Sequence, residues 1–290
     1  MTTHTDDHYY VPHSSQWPAV GSVGLLFMMV GVSSWLNGAD TGFYVMLVGV
    51  AIIIYMVTGW FADVIGESQR GLYNAQVDKS FRQGMFWFIF SEVMFFAAFF
   101  CALFYARIYS VPWLGGAGSG AMTNEWLWPA FDAMWPTNGP GQVGGEFQTM
   151  GPWGIPAINT LILLSSGVTV TWAHWGLKLG NRGQLILGLF ATVALGFLFL
   201  GLQVYEYMHA YSDLNLKLTS GMYGATFFML TGFHGLHVTL GATMLLIILL
   251  RAMKGHFTAE HHFAFEAVAW YWHFVDVVWL GLFVFVYWLV

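Results

Sequence analysis

The sequence is poor in charge. Only 8% of its residues are Asp, Glu, Lys or Arg, against 57% apolar and 19% aromatic, which excludes an ordinary soluble domain, where about a quarter of residues are charged. Lys and Arg together number nine, and none falls in the N-terminal tail MTTHTDDHYYVPH, so that tail reads as neither a cleavable signal nor a transit peptide. The single cysteine, Cys101, excludes an internal disulfide. The formal charge of −6 is spread over several loops without a basic patch, which argues against a nucleic-acid partner. There is no CxxC, GxSxG or HExxH and no phosphate-cradling glycine loop, so the commonest soluble chemistries drop out.

Long apolar runs are what the chain has instead. A helix needs roughly 20 apolar residues to cross the hydrocarbon layer, and seven stretches qualify, near 18–37, 42–62, 84–109, 153–177, 184–208, 220–250 and 265–289. The pattern predicts an all-α polytopic membrane protein of seven transmembrane helices, with its termini on opposite sides. Lys and Arg collect in cytoplasmic loops. Arg70, Lys79, Arg82, Lys178, Arg182, Arg251 and Lys254 all fall in connections on one side, and only Arg107 and Lys217 fall on the other. The N-terminus is therefore expected inside and the C-terminus outside.

The connections suggest an organisation. Residues 1–17 read as a polar tail on the inside, 18–69 as a two-helix transmembrane bundle, and 70–290 as a five-helix bundle. The inward stretch 63–82 separates the two bundles. The five-helix part includes the long outer loop 110–151, rich in Gly, Pro and Trp; its tryptophans read as an interfacial belt or as cover for a neighbouring subunit.

Ionisable residues at membrane depth are costly and usually face a bundle interior or a water-lined path. Glu92, in FIFSEVMFF, lies ten residues beyond Arg82, about 15 Å deep at the helical rise. It is read either as a structural pair or as a proton-handling group. His234 and His237, in TGFHGLHV, are three apart and share a helical face. They read as core histidines bonded to a neighbouring helix, with haem or metal ligation as the alternative. In AWYWHFVDVVWL, His273 and Asp276 read, with His234, as an interhelical polar network that fixes packing. The inward loop HFTAEHHFAFE carries His256, His261 and His262 beside Glu260. The pattern reads as a solvated, proton-collecting loop, with a surface metal site as the alternative, and no metal or catalytic residue is assigned. Glu206 and Glu266, near helix ends, are expected to reach water.

The strings WFADVIGES, FIFSEVMFF, TWAHW, YGATFFMLTGFHGLHV and HFTAEHHFAFEAVAWYWHFVDVVWL resemble, in order and spacing, subunit III of the haem-copper cytochrome c oxidases. The resemblance implies a subunit without a redox centre of its own, bound directly to the catalytic subunit I. Haem and copper would lie in partner subunits, with copper-bearing subunit II and cytochrome c as partners at the level of the complex. It further implies that helices 1–2 splay from helices 3–7 around a cleft that holds structural phospholipid. Trp60, Asp63, Glu67 and Arg82 become the lipid-binding candidates at the cleft's inner mouth. The family's buried acid corresponds to Glu92, with His237 as its expected partner and His273 as the alternative.

The expected function is that of an accessory subunit of a proton-pumping terminal oxidase. The complex takes electrons from cytochrome c and reduces oxygen to water, while this chain binds lipid, supports proton uptake and protects the catalytic subunit. A quinol-oxidase subunit and a free-standing proton channel or transporter are the alternatives. The chain departs from the family pattern at Ala62 and Gly66, at Tyr73-Asn74 and in the length of 110–151. The long outer loop points to a bacterial inner (cytoplasmic) membrane.

Overall fold

A computed structural model of the chain describes residues 9–12 and 14–290. Most of the polar tail, residues 1–8 and 13, lies outside the described residues. The described residues are helical and contain no strand. The helices are α1 (Trp17–Leu36), α2 (Thr41–Gln69), α3 (Ala75–Tyr105), α4 (Val111–Leu114), α5 (Ala121–Leu127), α6 (Ile155–Lys178), α7 (Arg182–Ser212), α8 (Gly221–Met253) and α9 (Phe263–Leu282). A π-helical turn, Ala106–Ser110, links α3 to α4, and another, Phe283–Trp288, extends α9. Seven of the helical spans are long and apolar enough to cross a membrane.

Each predicted crossing exists, but two run well past their apolar cores. Helix α2 continues to Gln69 and α3 begins at Ala75, so the expected inward loop 63–82 shrinks to residues 70–74. Local bonding explains the extension. The Asn74 side chain accepts from the backbone N–H groups of Gln76 and Val77, at 3.1 and 3.0 Å, and caps α3. One turn on, Arg82 Nε donates to Asp78 Oδ2 at 2.7 Å, an i,i+4 pair that supports the polar first turns of the helix. The long segment 110–151 is not a free loop either. Gln148 N–H donates to Leu214 O, and the Asn215 side chain donates to the carbonyls of Gly144 and Glu146, which ties the segment to the α7–α8 connection.

The chain divides into two compact units, Met1–Gln83 and Gly84–Val290. In the first, α1 and α2 pack backbone to backbone. A Cβ on Gly31 would run into the Met46 backbone, one on Gly42 into Trp35, and one on Gly49 into Met28. Small residues allow such close approach in a membrane, where dispersion between helices replaces the hydrophobic effect. The outward faces carry exposed Leu, Val, Phe and Ile, as a lipid-facing surface requires.

In the second unit α6 packs on α7 and α9, and α8 on α7 and α9. Two fully buried tryptophans of α9 set the core. Trp272 fits against Gly196 and Gly241, and its indole N–H donates to Ser166 Oγ at 2.8 Å. Trp279 donates in the same way to Thr160 Oγ1 at 2.9 Å. Each ring thus combines a large buried area with a satisfied donor, the condition under which a buried tryptophan stabilises a core.

Candidate functional site

Glu92 lies mid-way along α3 and His237 mid-way along α8, and the two meet. His237 Nε2 stands 3.0 Å from Glu92 Oε2, while its Nδ1 stands 2.6 Å from the carbonyl oxygen of Phe233, one turn back on the same helix. A carbonyl only accepts, so Nδ1 carries a proton. The remaining contact, Nε2 to carboxylate, is a hydrogen bond only if one proton lies between the two atoms. Whichever partner holds it, the pair is net neutral, the arrangement a low-dielectric site tolerates best. Phe96 packs edge-on to the imidazole at 4.9 Å and Tyr271 stacks on it at 6.3 Å. The side chain of His237 is 10% exposed and that of Glu92 is 22% exposed, so the acid keeps a path to the surface of its unit.

His234 does not join His273 and Asp276. It is fully buried, its Nε2 donates to the carbonyl of Val275 on α9 at 3.1 Å, and Phe199 and Trp279 enclose its ring. This corrects the expected three-membered network. A carbonyl between the helices satisfies His234, because the three-residue step along α8 turns it towards the Trp279 side and leaves His237 facing α3. His273 Nδ1 is 3.8 Å from Asp276 Oδ2, too far for a hydrogen bond. Its Nε2 instead contacts Thr171 Oγ1 on α6 at 3.3 Å, and the ring is largely exposed. Asp276 is buried against Gly167, with Oδ1 unbonded. Its fit on α6 is steric, through the missing Cβ of Gly167.

The lipid-binding candidates of the first unit include two carboxylates held by aromatic donors. Trp60 is exposed on α2. Asp63 Oδ2 accepts from the indole of Trp17 at 2.7 Å. Glu67 accepts from two phenols, Tyr73 at 2.7 Å and Tyr10 at 3.1 Å. Burial, and then the Glu67 carboxylate, push both phenols above the ordinary tyrosine value. Tyr73, at one of the departures from the family pattern, anchors Glu67. Arg82 forms an ion pair with Asp78.

Of the three histidines expected to collect protons, only His261 is exposed. His256 is half-buried, and desolvation, followed by the charges of Arg251 and Lys254, holds its imidazole below the ordinary value. His262 is buried at the start of α9, donates through Nδ1 to Thr258 O at 3.1 Å, and points Nε2 at Glu266 Oε1, 3.2 Å away. The loop folds back on itself, which withdraws His262 from water. Glu206 also differs from expectation. It is fully buried, accepting from Tyr287 at 2.6 Å and Gln203 at 3.3 Å, with Asn159 beyond. No short-range sequence signal marks this cluster, because Tyr287 is 81 residues away along the chain.

Taken together, these features define a class: a multi-pass, all-helical membrane protein whose buried polar groups are tied in small interhelical sets. The family model for cytochrome c oxidase subunit III matches residues 7–290. Proteins named cytochrome c oxidase subunit 3 are similar to the chain throughout. That of Dugong dugon is 42% identical over 287 residues, that of Equus caballus 40% and that of Gadus morhua 42%, each covering 99% of this chain and 98% of the relative. The chain belongs to the cytochrome c oxidase subunit III family and is a subunit of that oxidase complex, in a family that carries no redox centre.

Proposed function

We propose that the chain serves its oxidase as an accessory subunit that binds phospholipid, supports proton uptake and protects the catalytic subunit from inactivation during turnover. Oxygen reduction, with electrons from cytochrome c, is the work of the haem and copper centres in partner subunits. The chain contacts subunit I directly and meets copper-bearing subunit II and cytochrome c only within the complex. The observation that carries this reading is the Glu92–His237 pair, a one-proton carboxyl–imidazole contact inside the membrane-spanning part of the chain. Such a pair can pass a proton between Oε2 and Nε2 without creating net buried charge, and packing alone does not require it. The exposed His261 supports proton collection at the inner end. Exposed Trp60 and the cationic Arg82 support contact with a phospholipid headgroup. Asp63 and Glu67, already bonded to Trp17, Tyr73 and Tyr10, would shape that site. The long segment 110–151 supports a bacterial cytoplasmic membrane, and the distribution of basic residues supports an inside N-terminus.

Two substitutions test the proposal. Glu92→Gln keeps a group that donates to His237 Nε2 but removes the exchangeable acid proton, whereas Glu92→Ala removes both. The proposal expects both variants to begin with near-normal oxygen reduction and then to lose activity faster than wild type during sustained turnover. A Gln variant that inactivates at the wild-type rate would reduce Glu92 to a packing role. Mass spectrometry of lipid retained by Arg82→Ala and Trp60→Ala complexes tests the headgroup contact in the same preparations.

A further inference from the structure

At the inner end of the second unit, three side chains from two helices converge. His174 lies four residues before the end of α6, His262 directly precedes α9, and Glu266 lies in its first turn. Glu266 Oε1 is 3.5 Å from His174 Nε2 and 3.2 Å from His262 Nε2, and all three ligand-capable atoms lie within 4.8 Å of one another. Both Nε2 atoms are buried, and neither makes a hydrogen bond.

The surroundings orient both rings towards the cluster. His262 Nδ1 donates to the Thr258 carbonyl, so the neutral ring presents the Nε2 lone pair to the cluster. An outer hydrogen bond of this kind commonly orients a metal-binding imidazole. The His174 ring rests against Phe265 at 5.3 Å, which holds its plane. For metal–ligand bonds of about 2.0–2.1 Å in a tetrahedron, neighbouring ligand atoms are about 3.3 Å apart. Two observed separations, 3.2 and 3.5 Å, bracket that value, and the third, between the two Nε2 atoms, is within 4.8 Å. Two imidazole nitrogens and one carboxylate oxygen suit zinc and similar borderline ions better than magnesium or calcium, which prefer all-oxygen sets.

We propose that His174, His262 and Glu266 form a zinc-class divalent-cation site that clamps the end of α6 to the start of α9, with a fourth position open to water. His174 stands 88 residues before His262 and 92 before Glu266, a spacing that matches no motif, which is why the loop histidines alone did not disclose it.

The test uses the intact purified complex, dialysed against a chelator and then titrated with zinc. Metal content is measured by mass spectrometry, and zinc coordination by X-ray absorption. Wild type should retain one zinc per complex more than His262→Ala or Glu266→Gln, and the missing component should carry imidazole scattering. The apparent affinity at that site should fall at least tenfold in each variant. His174→Asn provides a third variant should either of the others fail to assemble, with haem absorbance reporting assembly. Equal zinc content in wild type and assembled variants would overturn the site. Preferential uptake of magnesium or calcium there would overturn the assignment to a zinc-class ion.

Discussion

Removing Glu92 and His237 singly and together measures whether they act as a unit. Glu92→Ala leaves His237 Nε2 facing apolar surroundings, and losing one partner of a buried hydrogen bond costs about 1–3 kcal/mol. His237→Phe keeps a ring against Phe96 and Tyr271 but strands the acid, at a similar cost. In the double variant neither polar group remains to be stranded, so the two losses should not add. The 3.0 Å contact and the 10% and 22% exposures place the pair between surface and core, for which a coupling of about 1–2 kcal/mol is expected. The assay is denaturant or thermal release of the chain from the purified complex, compared across the four proteins. Additivity within about 0.5 kcal/mol would refute the reasoning, because it would mean that the two groups do not share a hydrogen bond in the assembled membrane protein.

Further outcomes follow from packing and titration. Gly31→Ala forces a Cβ into the Met46 backbone and should destabilise the α1–α2 pair by about 1–3 kcal/mol. Gly66→Ala meets nothing within 4 Å and should stabilise α2 by about 0.5–1 kcal/mol, so thermal melts of the two variants should shift in opposite directions. Trp272→Ala empties a fully buried site and removes the indole donor to Ser166 Oγ, with an expected loss of about 3–5 kcal/mol read in the same melts. At the end of α7, bonds from His209 and Ser212 hold the Asp213 carboxyl below its ordinary value. A depressed carboxyl contributes stability that is present above its unfolded value, about pH 3.9, and is lost as pH falls through the folded value. The difference between wild type and Asp213→Asn should accordingly be at its full value at about pH 5, begin to fall as pH drops through about 4 and vanish on further acidification.

The crossings were legible because each is a long apolar run, a signal that needs no tertiary information. Their ends were not, since α2 and α3 continue through polar residues that cap and pair locally. The Asn74 cap and the Asp78–Arg82 step were there to be read. The site was legible where a cost had to be met: a lone acid at mid-membrane needs a partner, and His237 stands within reach of Glu92. It was illegible where partners are remote. His174 could be placed beside Glu266, or Tyr287 beside Glu206, only once the helices were packed. Exposure also misled, because a histidine-rich loop looks solvated until its own backbone is seen to bury His262.

The central claim is that this chain works as a non-redox subunit of a haem-bearing assembly. Its most direct test is gentle purification of the tagged chain from its own membrane, with a reduced-minus-oxidised spectrum and the identities of the co-purifying proteins recorded together. The account predicts haem bands that travel with larger partner subunits and disappear when the chain is isolated from them. A haem signal that stays with the isolated chain, or a colourless preparation without partners, would contradict it.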